Sequence, residues 1–178
     1  NKDQRTRLER WLGILPAATI AQHAELLLAQ AWVAELSRAD SQTVLATLDQ
    51  AQALVDQMVD QPERARPLQG EINTVLSIEK TFAANDPAST VSLTTYALKA
   101  MPATWYVARS ESWLWLAIAH LMLGELDQAY AALAAAQRED VAEMGAPRAR
   151  NTGAAGFVHW MAADLSLLLQ VSQVTAAV

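Results

Sequence analysis

Apolar residues along this chain fall at helical spacing, in blocks that recur. One block runs Trp113, Leu116, Ala117 and His120, then Gly124, then Ala129, Leu133 and Ala136. The first group marks one face of a helix. Gly124 ends it, because glycine takes the left-handed conformation of a C-cap at little cost. The last three residues share a face of a second helix. Asp127 lies in its first turn, where the helix dipole favours negative charge. The small alanines let the paired helices approach closely, and Leu133 fills the space between them.

The same frame fits earlier in the chain. Leu28, Ala31, Trp32 and Leu36 lead to a break near Ala39 and Asp40, and Val44, Leu48 and Ala51 repeat the second-helix face. In the middle, Val75, Leu76, Ile78 and Phe82 lead to Asn85-Asp86-Pro87, with Asn85 in the place of the helix-ending glycine. Ala97 then matches Ala51 and Ala136, and Pro102 closes the unit. The steps from 51 to 97 and from 97 to 136 are 46 and 39 residues. A period of about 40 belongs to arrays of helix pairs. Its excess over about 34 residues is assigned to longer helices and to a linker over Asp60 to Pro67.

The pattern therefore predicts an all-α fold of about eight or nine helices. They form a tetratricopeptide-like solenoid of antiparallel pairs wound as a right-handed superhelix. The predicted elements are a leading helix over 3–15, ending before Pro16, and pairs at about 22–59, 67–101, 103–143 and 152–178, all within one domain, 1–178. The fourth unit has its first helix from Phe157 to Gln170, and its second begins at Val174. Solenoids need polar terminal caps, and Val174 to Val178 is not one. The natural protein is therefore expected to continue in both directions.

Composition narrows the function. The 178 residues are 52% hydrophobic, with only six glycines and six prolines. No alternating β-branched runs bounded by hairpin turns occur. A formal charge of −6 and a pI near 5.0 disfavour contact with phosphate backbones, so no direct nucleic-acid partner is expected. There is no cysteine, which removes disulfides, thiol catalysis and cysteine-based zinc sites. No signal peptide is seen. The most apolar stretch, Phe157 to Val171, is shorter than the ~20 residues a membrane span needs, so no membrane partner is expected.

Catalytic signatures are missing. There is no phosphate loop, no dinucleotide fingerprint and no nucleophile elbow around the serines. Gly153 and Gly156 read as a loose helix entry. His23, His120 and His159 are too far apart in sequence for a zinc helix motif, and His120 reads as a packing residue whose ring nitrogens bond locally. Glu139, Asp140 and Glu143 read as a solvated helix end, and Arg148 and Arg150 as part of a linker. No catalytic residue, metal or cofactor is expected in this segment, and the chain is read as a non-enzyme. The six tryptophans, Trp11, Trp32, Trp105, Trp113, Trp115 and Trp160, read mainly as core.

In helix-pair arrays the first helix of each pair lines the inner wall. The candidate binding groove is accordingly Val33, Leu36, Val75, Glu79, Phe82, Leu114, Ile118, Leu121, Met122, Met161 and Leu165. This wall is mainly apolar with Glu79 as a lone charge, and either suits an amphipathic helix or hydrophobic peptide or, if the superhelix is tight, is simply buried.

Four segments carry a family resemblance: Arg10-Trp11-Leu12 through Leu15-Pro16, Leu28-Ala29 through Ala31-Trp32, Ala97-Leu98 through Pro102, and Arg109 through Leu114 to Gly124. In this order they resemble the tetratricopeptide region of large ATP-binding LuxR-type transcriptional regulators of the maltose-regulator-like kind. The resemblance implies a cytoplasmic, signal-sensing module of transcription regulation. A nucleotide-binding module would precede it and a helix-turn-helix follow it. Its partner would be a regulatory protein or a small-molecule inducer, with self-association possible. The sequence departs from the pattern where Asn85 and Ala39 replace glycines and where Thr90 and Thr94 replace apolar residues. No nucleotide or DNA contact carries over to any residue here. The competing reading is a generic interaction scaffold with no small-molecule effector.

Overall fold

A computed structural model of the chain describes residues 2–140 and 155–164. Among these residues every regular element is a helix. They are α1 (Lys2–Ile14), the single turn α2 (Ala17–Ile20), α3 (Ala24–Leu36), α4 (Ser41–Asp56), α5 (Pro62–Phe82), α6 (Pro87–Ala100), α7 (Tyr106–Met122), α8 (Leu126–Asp140) and α9 (155–161). Consecutive helices pack as neighbours, α3 on α4, α5 on α6 and α7 on α8, as the sequence period predicts. The matched alanines Ala51, Ala97 and Ala136 are all buried in the interfaces.

The helices end by a recurring device. Arg38, Asn85, Gly124 and Ala163 all have positive φ, at 54°, 50°, 78° and 58°. After α7, the Glu125 N–H bonds the His120 carbonyl at 2.8 Å and the Gly124 N–H bonds the Leu121 carbonyl at 3.0 Å. That pair of bonds is the Schellman motif. The same two bonds recur after α3, from Ala39 to Ala34 and from Arg38 to Glu35, and after α9, from Asp164 to His159 and from Ala163 to Trp160. Asn85, Gly124 and Ala163 stand 39 residues apart in both steps. The second helices α4 and α6 begin with acidic caps: Asp40 accepts from the Thr43 N–H and Asp86 from the Ser89 N–H, with Pro87 at the first helical position of α6.

Three expectations are corrected. The left-handed residue after α3 is Arg38, not Ala39, because hydrogen-bond geometry places the cap one residue earlier. The second pair starts at Pro62, not 67, so Asp60 to Pro67 is not a linker. Pro67 lies inside α5 and forgoes one backbone bond. Burial of Leu68, Ile72, Val75 and Ile78 along the same helix offsets that loss. The helix expected over Phe157 to Gln170 ends after residue 161, where Ala163 turns left-handed. Residues beyond Asp164, including the expected helix from Val174, lie outside the described residues.

The first helices of the pairs also contact one another directly: α3 packs on α5 and α5 on α7. No comparable packing joins α4 to α6 or α6 to α8. Side-chain bonds fix the direction. Arg64 donates to Glu25 at 2.6 Å, and farther along Trp32 Nε1 donates to Glu71 at 2.8 Å. Residue 25 pairs with 64 and 32 with 71, so α3 and α5 run parallel. Between α5 and α7 the hydroxyls of Thr74 and Ser112 bond at 2.8 Å. Thr90 and Thr94, which replace apolar residues, are fully buried and bond back to the Asp86 and Thr90 carbonyls.

Candidate functional site

The parallel layer of α3, α5 and α7 carries the residues that the sequence assigns to a binding wall, but it sorts them into two groups. Val75 and Ile118 are buried core, and Val33, Leu114 and Leu121 are partly buried against it. They are packing residues, because the layer's helices touch and cover them. Leu36, Phe82, Met122 and Met161 are exposed, at 43%, 70%, 40% and 51%. Leu165 lies outside the described residues.

The exposed members lie close to the helix-ending caps, though not all at one position. Leu36 and Met122 stand two residues before Arg38 and Gly124, Met161 stands two before Ala163, and Phe82 stands three before Asn85. Each first helix thus presents a large apolar side chain in its last turn. Phe82 rests edge-on against Trp115 of α7, with ring centroids 4.9 Å apart. Trp115 is itself buried, and its Nε1 donates to Glu111 Oε2 at 3.1 Å.

Glu79 is not a lone charge. Glu35 of α3 shares a hydrogen bond with the Glu79 carboxyl group of α5 and lies within the electrostatic reach of Glu111 of α7. Glu79 and Glu111 are buried and Glu35 is half-buried. Burial, a hydrogen bond with the Glu79 carboxyl group and the nearby charges of Glu79 and Glu111 push the Glu35 carboxyl up to about 7. Lower in the layer, burial also raises Glu71, against the opposing hydrogen bond from Trp32. Chemically, this carboxyl group can share or exchange a proton near neutral pH, or accept a cation. The sequence pattern misses the cluster because the three glutamates lie three, six and thirteen residues ahead of their respective caps, so no repeat position links them.

Other candidate residues fall into structural roles. His120 Nδ1 pairs with Glu125 at 2.6 Å, the local bond expected of it. His159 stacks on Tyr130 at 5.4 Å and is buried, and His23 stands at the start of α3. No cluster of metal-ligating side chains occurs among the described residues. Arg109 is buried and donates to the Leu98 and Met101 carbonyls at 2.6 and 2.9 Å, closing the end of α6. Trp32 and Trp115 are core and Trp105 and Trp113 are partly buried, but Trp11 and Trp160 are exposed, so the core reading fails for those two. Trp11 carries Arg7 over its face instead, at 5.6 Å. Gly153, Glu143, Arg148 and Arg150 lie outside the described residues, as do the side chains of Glu139 and Asp140. No described helix is long and apolar enough to cross a membrane. Set against known proteins, the chain matches no family model, no curated protein and no solved structure.

Proposed function

We propose that this chain is the effector- and protein-binding helical repeat region of a LuxR-type transcriptional regulator, with the α3–α5–α7 layer as the inner wall of a superhelix. One observation carries the reading: each first helix of the parallel layer leaves a large apolar side chain exposed in its last turn. Exposed apolar side chains of this kind have no use in the core and suit an extended or helical ligand. The order of the four family-like segments supplies the regulator context. The segment acts as a binder and not as an enzyme, working on a regulatory protein or a small-molecule inducer in the cytoplasm, without touching DNA itself.

Its mechanism is population shift. An effector that prefers one arrangement of the stack biases the parent protein between resting and active states by its differential affinity for the two. The test is the coding sequence on either side of the chain. A phosphate-loop ATPase before Asn1 and a helix-turn-helix after Val178 support the regulator. More helical repeats with neither module would leave the second reading, an interaction scaffold without a small-molecule effector.

A further inference from the structure

Helix α5 carries a second face beside the wall. Leu76 and Lys80 each follow a wall candidate, Val75 and Glu79, by one position, so they point about 100° away from it around the helix. Toward its start this face meets α4, where the Gln52 and Gln69 side chains exchange hydrogen bonds at 2.6 and 2.8 Å. Asn73, Leu76 and Lys80 continue the face at helical spacing from Gln69. No substantial packing joins α4 to α6. Between α5 and α6 the face opens into a cleft of about 400 Å³, lined by Leu76, Lys80, Ala88, Ser89, Ser92 and Leu93. That volume is in the range of small-molecule sites.

The cleft has two unlike ends. α5 and α6 run antiparallel, with the Thr81 and Thr90 hydroxyls bonded across at 3.0 Å. Lys80 therefore stands opposite Ala88 and Ser89, by the turn between the helices, and Leu76 stands opposite Ser92 and Leu93. One end offers an ammonium group, the other two leucines. Leu76, Lys80 and Leu93 are all half-buried. Lys80 is the sole charge among the lining residues. Among the described residues no carboxylate lies within ion-pair distance of it. Asp86 feels its field, but that carboxyl group is committed to capping α6 through Ser89. A partly dry cation beside an apolar trough favours an anion with an apolar body.

We infer that this cleft binds a small carboxylic acid with an apolar body, its carboxylate on the Lys80 ammonium group and its body along Leu76 and Leu93. A neutral hydrophobic ligand would leave the ammonium group without a partner, and a cation would meet it as a like charge. A phosphate-rich polymer is disfavoured by the −6 charge of the whole chain, whereas a single small anion answers mainly to the local field. Leu36, Phe82 and Met122 do not line the cleft, so the site does not rest on the reading of the layer as a binding wall.

The experiment titrates the full 178-residue chain with octanoate, octanamide and acetate and follows the amide chemical shifts. Octanoate is expected to move the amides around Lys80, Ser89 and Leu93. It should bind about fivefold more tightly than octanamide, the scale of one ion pair at a half-buried lysine. Acetate, which lacks the apolar body, should bind weakest. Lys80→Gln should bring octanoate to the octanamide level and leave octanamide unchanged. Ser92→Phe, at an exposed position on the rim, should fill the cleft and weaken both. Lys99→Gln, an exposed lysine farther along α6, should change neither.

Equal binding of octanoate and octanamide would overturn the acid. So would an octanoate advantage lost as readily through Lys99→Gln as through Lys80→Gln, since the attraction would then be diffuse. Acetate binding as tightly as octanoate would overturn the apolar body. Shifts confined to other parts of the chain, binding that survives Ser92→Phe unaltered, or no binding at all would overturn the cleft itself. Circular dichroism of each variant separates lost binding from lost fold.

Discussion

Glu35 gives the sharpest residue-scale consequence. Its folded-state pKa, about 7, stands above the ordinary 4.5. The folded protein therefore holds this proton more tightly than the unfolded chain does. Its contribution to stability is fully present below about 4.5 and is lost as pH rises to about 7. After discounting for half exposure, the loss is on the order of 1–2 kcal/mol. Urea unfolding across that window should show Glu35→Gln more stable than the parent by about 1 kcal/mol at pH 8 and nearly equal to it at pH 4.5. Parallel curves at the two pH values would show that Glu35 and Glu79 do not share that bond. Glu71, also raised by burial, acts with the same sign and leaves part of the slope in the variant. At the caps the prediction is conformational. Arg38 holds φ +54° with a full side chain, so Arg38→Gly should raise stability by up to ~1 kcal/mol. Gly124→Ala should lower it by about as much, since open space surrounds the missing Cβ and only its φ of +78° resists. Thermal unfolding of both variants, with opposite signs, checks the pair.

At the scale of the helix, contact between α5 and α6 depends on Gly70. A Cβ there would stand 2.8 Å from Met101 Cγ, 3.1 Å from Ala100 Cβ and 3.2 Å from the Ala97 carbonyl oxygen. Methionine can move, but the other two are fixed to α6. Gly70→Ala should therefore destabilise by about 1–3 kcal/mol, despite alanine's better helix propensity, and a denaturant midpoint that rises instead would refute the close approach. Much of this architecture was legible beforehand. Alanines at 51, 97 and 136 mark the pair interfaces because only small side chains fit there, and their steps of 46 and 39 residues mark the units. Pro67 misled because its penalty is local while the compensation comes from burial against four other helices. The exposed apolar side chains were half legible. Helical spacing finds Leu36, Phe82 and Met122, but it cannot separate them from Val75 and Ile118, whose fate depends on how closely neighbouring helices approach. The bond between Glu35 and Glu79, within reach of Glu111, is a property of the stack alone, since no local pattern joins residues on three helices.

For the molecule as a whole, the parallel first helices and the unconnected second helices divide it into a continuous layer and a set of separate ribs. Hydrogen exchange should reflect this. Amides of α5, packed on both sides, should exchange most slowly, and those of α1 and α2 fastest, since open peptide groups follow local contact density. Uniform protection across α1 to α8 would contradict it. The connectivity carries a further consequence. Every substantial contact between the first four helices and α6 to α8 passes through α5, which touches α3, α4, α6 and α7. In the terms of a network, α5 is close to a cut vertex: without it no substantial helix packing joins α1–α4 to α6–α8. Mechanical strain entering at one end reaches the other mainly across this isthmus. A chain nicked within α5 should lose communication between its halves even while each half keeps its own helices, whereas a nick between α6 and α7, at Pro102, would leave the bridge intact.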